Sequence, residues 1–370
     1  MLKILVITTV KIGYDGLTDH IFSYFGNMDK TDILVDLVSA RGIDSKIMPV
    51  LDSIGFNHIY RLEYRDNKQL KYLKELIKLI KTNKYDIIHA HGNSATLATE
   101  MAAGIFGGTK IRIAHSHNTS CKHKIFDACL RPIFNICYTQ GFACGNDAGK
   151  WLFKNKKFTV IPNGKDINKY KFNGSVREIY RKKLNLENDI IAIGNVAAFV
   201  EKKNHKFIIN VFNELYKKNH KYEMFLFGID GESLDSVKNQ IKQLKLEDKI
   251  HYMGTKGNIQ DYIQAMDIML LPSLYEGFPI SVIEWTINGL PCILSDTITR
   301  DINILGNIKY LPIDKGVKLW VNELLNVQID IGQRDITNIE KIFTKAGFNI
   351  KSNAAKLKSI YFNLYKKRKN

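Results

Sequence analysis

Short apolar runs alternate along most of this chain with longer segments whose apolar positions recur at helical spacing, the pattern of parallel βαβ units. In the first half the runs that predict strands are "KILVIT", "DILVDLVSA", "HIYRL", "YDIIHAH", "KIRIAHSH", "GFACG" and "FTVIPNG". Helices are predicted between them, among them a lysine-rich one ending near Asn83 and "ATLATEMAAGIFG", which runs into glycines as helix ends commonly do. After "IPNGKDINKYKFNGS" the alternation begins again, with strands "IIAIGNVAAF", "YEMFLFGI", "IHYMG", "DIMLLPS" and "PCILSD" separated by helical segments. Two α/β series joined by a polar connection near residues 163–175 predict two doubly wound, Rossmann-like domains. They are expected at residues 1–170 and 171–349, with a final helix at about 350–370 free to pack back on the first. Ligands of such folds sit outside the carboxyl ends of the strands, which places the expected site in a crevice between the domains.

One strand-to-helix junction carries two carboxylates. "SLYEGFPISVIEW" follows the near-continuous apolar run "DIMLLPS", and Pro279 suits a first helical position, where no backbone donor is needed. The helix is expected to stop at Gly289, with Pro291 beyond it. At its start the amides of Gly277, Phe278 and Ile280 are expected to be open to an anion, and the helix dipole favours a phosphate there. Glu276 then falls in the loop and Glu284 inside the helix. The pair reads either as two ends of a grip on one elongated ligand or as a loop cap and a solvated helix glutamate.

Composition narrows the class. With 370 residues, 45% of them hydrophobic, the chain can build two cores. No apolar run reaches the roughly 18 residues of a membrane span, and "MLKILVITTV" reads as a buried strand rather than a leader, so a soluble cytoplasmic protein is expected. The five cysteines form no metal-type spacing and are expected to be small buried apolar residues. A formal charge of +17 calls for an anionic partner: phosphorylated substrates, or an anionic membrane surface met through the basic tail "YKKRKN". No recognised nucleic-acid motif accompanies the charge, so nucleic acid is not expected as a partner. His89 and His91 end one strand candidate and His115 and His117 another, each pair on one face by the period of two. No carboxylate lies within either pair, and no metal is expected.

"PSLYEGFPISVIEWTINGLPCILSDTI" resembles the nucleotide-sugar signature of the retaining glycosyltransferases of family 4, which have the GT-B fold of two Rossmann-like domains facing a cleft. "YDIIHAHG", "IRIAHSHNTS", "FACGNDAGKWLF", "FTVIPNGKDINKYKF", "KKNHKFII" and "HYMGTKGNIQDYIQAMDIMLLPS" fit the same family in order, over roughly residues 1–300. The resemblance implies that Glu276 contacts the donor sugar, Glu284 the nucleotide ribose, and the backbone of Gly277, Phe278, Pro279 and Ile280 the diphosphate. It also implies that Lys203 neutralises that diphosphate, with Lys202 beside it, and that His117, or else His115, faces the sugar. Gly16 would lie beside the phosphates, and Gly254 and the loop to Asn258 would take the nucleobase. The family's usual arginine, a few residues before the lysine, is Ala198 here, a departure that bears on how strongly the phosphate is held.

The expected activity is therefore transfer of a hexose or N-acetylhexosamine from a nucleoside-diphosphate sugar, UDP-linked by expectation. The acceptor is a glycan or a lipid-diphosphate-linked repeat unit in exopolysaccharide or capsule biosynthesis, at the inner face of the cell membrane. No cofactor is expected beyond the co-substrate. A sugar-nucleotide epimerase of the same architecture and a degenerate, non-catalytic binding subunit are the rival readings.

Overall fold

The computed structural model describes residues 1–121, 124–276 and 278–368. They divide into two compact units, residues 1–164 with 347 onward, and residues 165–346.

The first unit is built on a parallel sheet of strands β1 (Leu2–Thr8), β2 (Ile33–Ser39), β3 (Ile59–Arg61), β4 (Ile87–Gly92), β5 (Ile111–Ser116), β6 (Gln140–Ala143) and β7 (Thr159–Val160). Their order is β3-β2-β1-β4-β5-β6-β7, so the chain winds outward from β1, then crosses to β4 and winds the other way. Helices cover both faces, and the strands are accordingly apolar along nearly their whole length. The lysine-rich helix Gln69–Asn83 buries Tyr72, Leu76 and Ile80, four residues apart, and turns its lysines to solvent. Its neighbour Ala98–Gly107 comes so close that a Cβ on Gly107 would lie 2.3 Å from Ile80. β7 is shorter than "FTVIPNG" predicts, because Pro162 has no N–H to give a ladder. The final helix, Ile350–Lys366, belongs to this unit: Ile350, Ala354, Leu357 and Tyr361 enter the same core as Leu17, Ile21 and Phe25.

The second unit holds the parallel strands β8 (Ile191–Val196), β9 (Tyr222–Phe227), β10 (Ile250–Gly254), β11 (Ile268–Leu271), β12 (Cys292–Ser295) and β13 (Ile308–Leu311), ordered β10-β9-β8-β11-β12-β13. The winding again reverses, here between β8 and β11. β13 escapes the hydrophobic pattern because it is a four-residue edge strand, "IKYL", with Lys309 exposed. At the amino ends of β8 and β11, Asp267 accepts from Arg177 at 2.5 Å, Arg181 at 3.1 Å and the Ala192 N–H at 2.8 Å, a fully partnered buried cluster. The divide falls before Lys165, a few residues earlier than the sequence places it. The helix Ile167–Tyr170 packs on Ile280–Ile287 within the second unit, and Lys165 pairs there as well. Cys137, Cys144 and Cys292 are buried as expected, whereas Cys129 is exposed and Cys121 half-buried.

Candidate functional site

In the second unit the predicted polar residues gather at the carboxyl ends of the strands, around the reversal between β8 and β11 where open α/β sheets take their ligands. Lys203 closes a single 3-10 turn, Glu201–Lys203, after β8, and Glu276 lies in the loop after β11. The two loops are tied by a hydrogen bond from the Leu274 N–H to the Lys202 carbonyl at 2.8 Å, and Asn204 donates to the Pro272 carbonyl at 3.2 Å. This fixes Lys203 Nζ 2.5 Å from Glu276 Oε1, which also accepts from Ser273 Oγ at 2.6 Å. Both side chains are largely buried, at 15% and 6% exposure, so the pair is shielded from bulk solvent. Lys202 turns away, its ammonium over the Tyr275 ring, beside a pocket of about 370 Å³ lined by Val200, Glu232, Leu274 and Tyr275. The larger cavity of this unit, about 800 Å³ and lined by Phe172, Arg334 and Lys345 among others, holds none of the predicted residues.

The helix after Glu276 spans Ile280–Ile287, and Pro279 is its cap rather than its first residue, one position earlier than expected. Its extended backbone, φ −79° and ψ 92°, turns the chain into the helix. Gly289, at φ +73°, ends it, with the Leu290 N–H donating to the Trp285 carbonyl at 3.1 Å. Phe278 and Ile280 sit at the helix start as predicted, while Gly277 lies outside the described residues. Glu284 is nearly buried and accepts from Lys165 Nζ at 2.6 Å. The sequence reading missed Lys165: its one signal was a place in "FTVIPNGKDINKYKF", and its partner is far away in the chain. The two glutamates thus have separate lysine partners and do not form a paired acid and base.

Gly254 ends β10 at φ +63°, its carbonyl accepting from the Gly228 N–H at 3.1 Å. The Asn258 side-chain amide donates to the Tyr180 hydroxyl, on the helix Gly174–Lys183, at 2.5 Å and to Asp261 Oδ2 at 2.9 Å. Ala198 is half-buried beyond β8, and its carbonyl accepts from the Val200 N–H at 2.8 Å. His205, which the sequence reading passed over, stacks on Phe199 at 4.3 Å. Burial pushes its imidazole down to about 4, and the nearby Lys203 charge pushes it the same way.

In the first unit the helix Gly16–Gly26 begins at Gly16 as expected, but its start is already capped. Asp15 accepts from the Leu17 N–H at 2.9 Å and the Thr18 N–H at 3.2 Å, which satisfies two of the first amides of the helix. The same helix carries His20 onto four histidines from β4 and the end of β5. His89 and His115 stack at 5.2 Å between ring centres and His91 and His117 at 5.1 Å, while His20 meets His115 and His117 edge-on at 4.8 and 4.7 Å. His117 is half-buried, and its backbone N–H donates to Asn93 Oδ1 at 3.1 Å. The other four rings are buried, and desolvation pushes His20 down to about 4, His89 to about 3, and His91 and His115 far below the usual histidine range. The sequence pairs were visible; His20, remote in the chain, was not.

Residues 176–311, which include Lys203, Glu276 and Glu284 but not Lys165, match the family model for glycosyl transferases group 1. Along most of its length the chain is similar to the "Putative glycosyltransferase EpsF" of Bacillus subtilis, 26% identical over 94% of this chain and 93% of that one. It is also similar to the Escherichia coli UDP-Gal:alpha-D-GlcNAc-diphosphoundecaprenol alpha-1,3-galactosyltransferase, 26% identical over 80% of each. Among solved structures, Alr3699/HepE of Anabaena in complex with UDP and glucose aligns with a TM-score of 0.76 over 97% of this chain and 98% of that one, at 16% identity. That likeness establishes the fold: two parallel-sheet Rossmann-like domains of the GT-B glycosyltransferase type.

Proposed function

We propose that the chain is a retaining glycosyltransferase that moves a hexose or N-acetylhexosamine from a UDP-linked sugar to a glycan or lipid-diphosphate-linked acceptor in cell-surface polysaccharide synthesis. The observation that carries this reading is the Lys203–Glu276 pair, shielded beside a helix start at the strand reversal and lying inside the matched family region. UDP as the nucleotide is supported by the UDP-bound Anabaena structure, and a lipid-linked acceptor by the E. coli galactosyltransferase.

Each residue has a task in that reaction. A donor diphosphate entering at the Phe278–Ile280 backbone draws the Lys203 ammonium off Glu276, and the lysine then stabilises charge on the departing UDP. Glu276, released from the lysine but still held by Ser273, accepts from a sugar hydroxyl. Glu284 uses one oxygen for Lys165 and keeps the other for the ribose diol. Gly254 and the loop to Asn258 take the base, and His117 in the first unit is assigned to the sugar. Glu276 is committed to a sugar hydroxyl and Glu284 to Lys165 and the ribose, so neither is assigned as a nucleophile, which supports front-face displacement: the acceptor oxygen attacks the anomeric carbon, the bond from that carbon to the phosphate oxygen breaks, and the leaving phosphate takes the acceptor proton. Lys203 and the helix start neutralise the leaving group, so the transfer step calls on neither metal ion nor cofactor.

A screen of UDP-sugars against lipid-linked and free glycan acceptors, read by UDP release and by the anomeric configuration of the product, tests the reading. UDP released in proportion to acceptor, with the donor's configuration kept, is expected. A new UDP-sugar formed without acceptor would establish the epimerase instead, and an inverted product would sink the front-face step.

We further propose contact with an anionic membrane surface through the helix Lys124–Cys137. Ile125, Cys129, Ile133 and Ile136 fall on one face by helical spacing, and Ile125 and Ile136 are each 79% exposed. Among the described residues no helix is long and apolar enough to cross a membrane. Ile125→Asp with Ile136→Asp is expected to weaken co-sedimentation with phosphatidylglycerol vesicles at least about tenfold while leaving UDP release with a soluble acceptor unchanged.

A further inference from the structure

The histidine cluster of the first unit has more coordinating capacity than a sugar contact uses. Among its buried ring nitrogens, His20 Nε2, His91 Nε2 and His115 Nε2 have no hydrogen-bond partner. A buried polar atom left without a partner costs on the order of 1–3 kcal/mol, and two of these, on His20 and His115, belong to rings that lie together with His117.

The remaining nitrogens are set by neighbours. His20 Nδ1 lies 2.7 Å from Asn163 Oδ1, which can only accept; the ring hydrogen is therefore on Nδ1, and Nε2 presents a bare lone pair. His115 Nδ1 lies 3.0 Å from His89 Nε2, whose own Nδ1 is 2.6 Å from the Tyr361 hydroxyl. That relay can hold a hydrogen on His115 Nδ1 and so free its Nε2 in the same sense. His117 Nε2 is 2.9 Å from His91 Nδ1. One ring nitrogen from each of His20, His115 and His117 falls within 4.8 Å of the others. Each ligand candidate thus has a second group orienting its ring, the arrangement by which proteins hold metal-binding imidazoles.

We propose that His20, His115 and His117 form a binding site for a divalent cation of the zinc class. The donor set is all imidazole nitrogen, which suits Zn²⁺, Co²⁺, Ni²⁺ and Cu²⁺ and disfavours Mg²⁺ and Ca²⁺, whose ligands are oxygens. Tetrahedral Zn–N bonds of 2.0–2.1 Å need nitrogens about 3.3 Å apart, so the rings close inward on the ion. Of the three rings His117 alone is half-buried, while His20 and His115 are buried. The ion takes no part in sugar transfer. On the reading that His117 meets the sugar, it would compete with the donor, but binding itself does not depend on that reading.

Untagged chain, stripped with chelator, is titrated with Co²⁺ and followed by its visible d–d absorption and by calorimetry, with Zn²⁺ added in competition. One ion per chain in a tetrahedral nitrogen environment is expected, displaced by Zn²⁺ and untouched by Mg²⁺. His117→Gln, at the half-buried position, is expected to weaken binding at least about 100-fold, and Asn163→Leu, which removes only the group orienting His20, about 10–100-fold. Unchanged thermal melting of the stripped His117→Gln protein shows that it is folded. No tetrahedral Co²⁺ spectrum, or binding that both variants leave intact, overturns the site; the latter result would place the ion on other histidines of the chain. Loss of sugar transfer in the UDP-release screen alongside normal Co²⁺ binding would count against the proposed function alone.

Discussion

Replacing Glu276 by glutamine is expected to lower kcat/KM for sugar transfer by about 10²–10³, or roughly 3–4 kcal/mol of transition-state stabilisation, on the scale of losing one charge-assisted contact in a shielded site. The side chain is 6% exposed and accepts from Lys203 and Ser273 through the same oxygen. Glutamine keeps its shape and its bond from Ser273, so the loop after β11 should stay in place. What is lost is the negative charge. The Lys203 ammonium then has no counter-ion before the donor binds, and the sugar hydroxyl loses an ionised acceptor afterwards. The two losses have opposite signs for the donor diphosphate, which gains an unpaired lysine. UDP should therefore bind as well to Glu276→Gln as to the parent, or better, while turnover collapses. Steady-state kinetics beside calorimetric titration with UDP separate the two. Transfer within threefold of the parent, or UDP affinity falling together with turnover, would show that Glu276 is a structural partner of Lys203 and not a sugar contact.

That division of roles was partly legible in the chain. The strand-loop-helix pattern of "DIMLLPSLYEGFPISVIEW" placed Glu276 before a helix and Glu284 inside it, because apolar runs and a Gly–Pro junction are local signals. The lysines opposite them were legible unequally. Lys203 follows a strand and precedes a helix in a matched motif; Lys165 reaches Glu284 from a connection after β7, and nothing local announces such a contact. Gly16 opens its helix as its place after the first strand suggests, with Asp15, one residue before it, accepting from the Leu17 and Thr18 amides. β13 was lost because four residues on a sheet edge carry too little pattern to separate from a loop. The order of strands, and hence the reversal points that gather Lys203 and Glu276 in one unit and the histidines in the other, is long-range information that hydrophobic periodicity does not hold.

The same histidines make acid stability a sharp test of the first unit. In the unfolded chain a histidine takes up a proton near pH 6.5; in the folded unit burial holds His20 to about 4 and His89 to about 3, with His91 and His115 also far below the ordinary value. Between those limits the unfolded state binds more protons than the folded one, so stability is full above pH 6.5 and falls as the pH drops below it. Each such histidine shifts the folded-to-unfolded ratio by up to about tenfold per pH unit. His20 alone then accounts for on the order of 3 kcal/mol by pH 4, and several histidines acting in the same direction are comparable with the 5–15 kcal/mol that usually holds a domain together. The Asp19 carboxylate offsets a little of this for His20, while Tyr24 and Tyr361, whose hydroxyls are pushed up by burial, stay neutral throughout. In the second unit His205 is held to about 4 in the same way, a single site against several. With chelator present, the first unit is expected to unfold between pH 6 and 5, above the range in which ordinary carboxylates titrate, while the second persists to lower pH. Single-tryptophan chains keeping Trp151 report the first unit, and those keeping Trp285 or Trp320 the second. His115→Gln should flatten the pH slope of the Trp151 transition by up to one proton. A first unit equally stable at pH 5 and pH 7 would mean that the cluster accepts protons without unfolding.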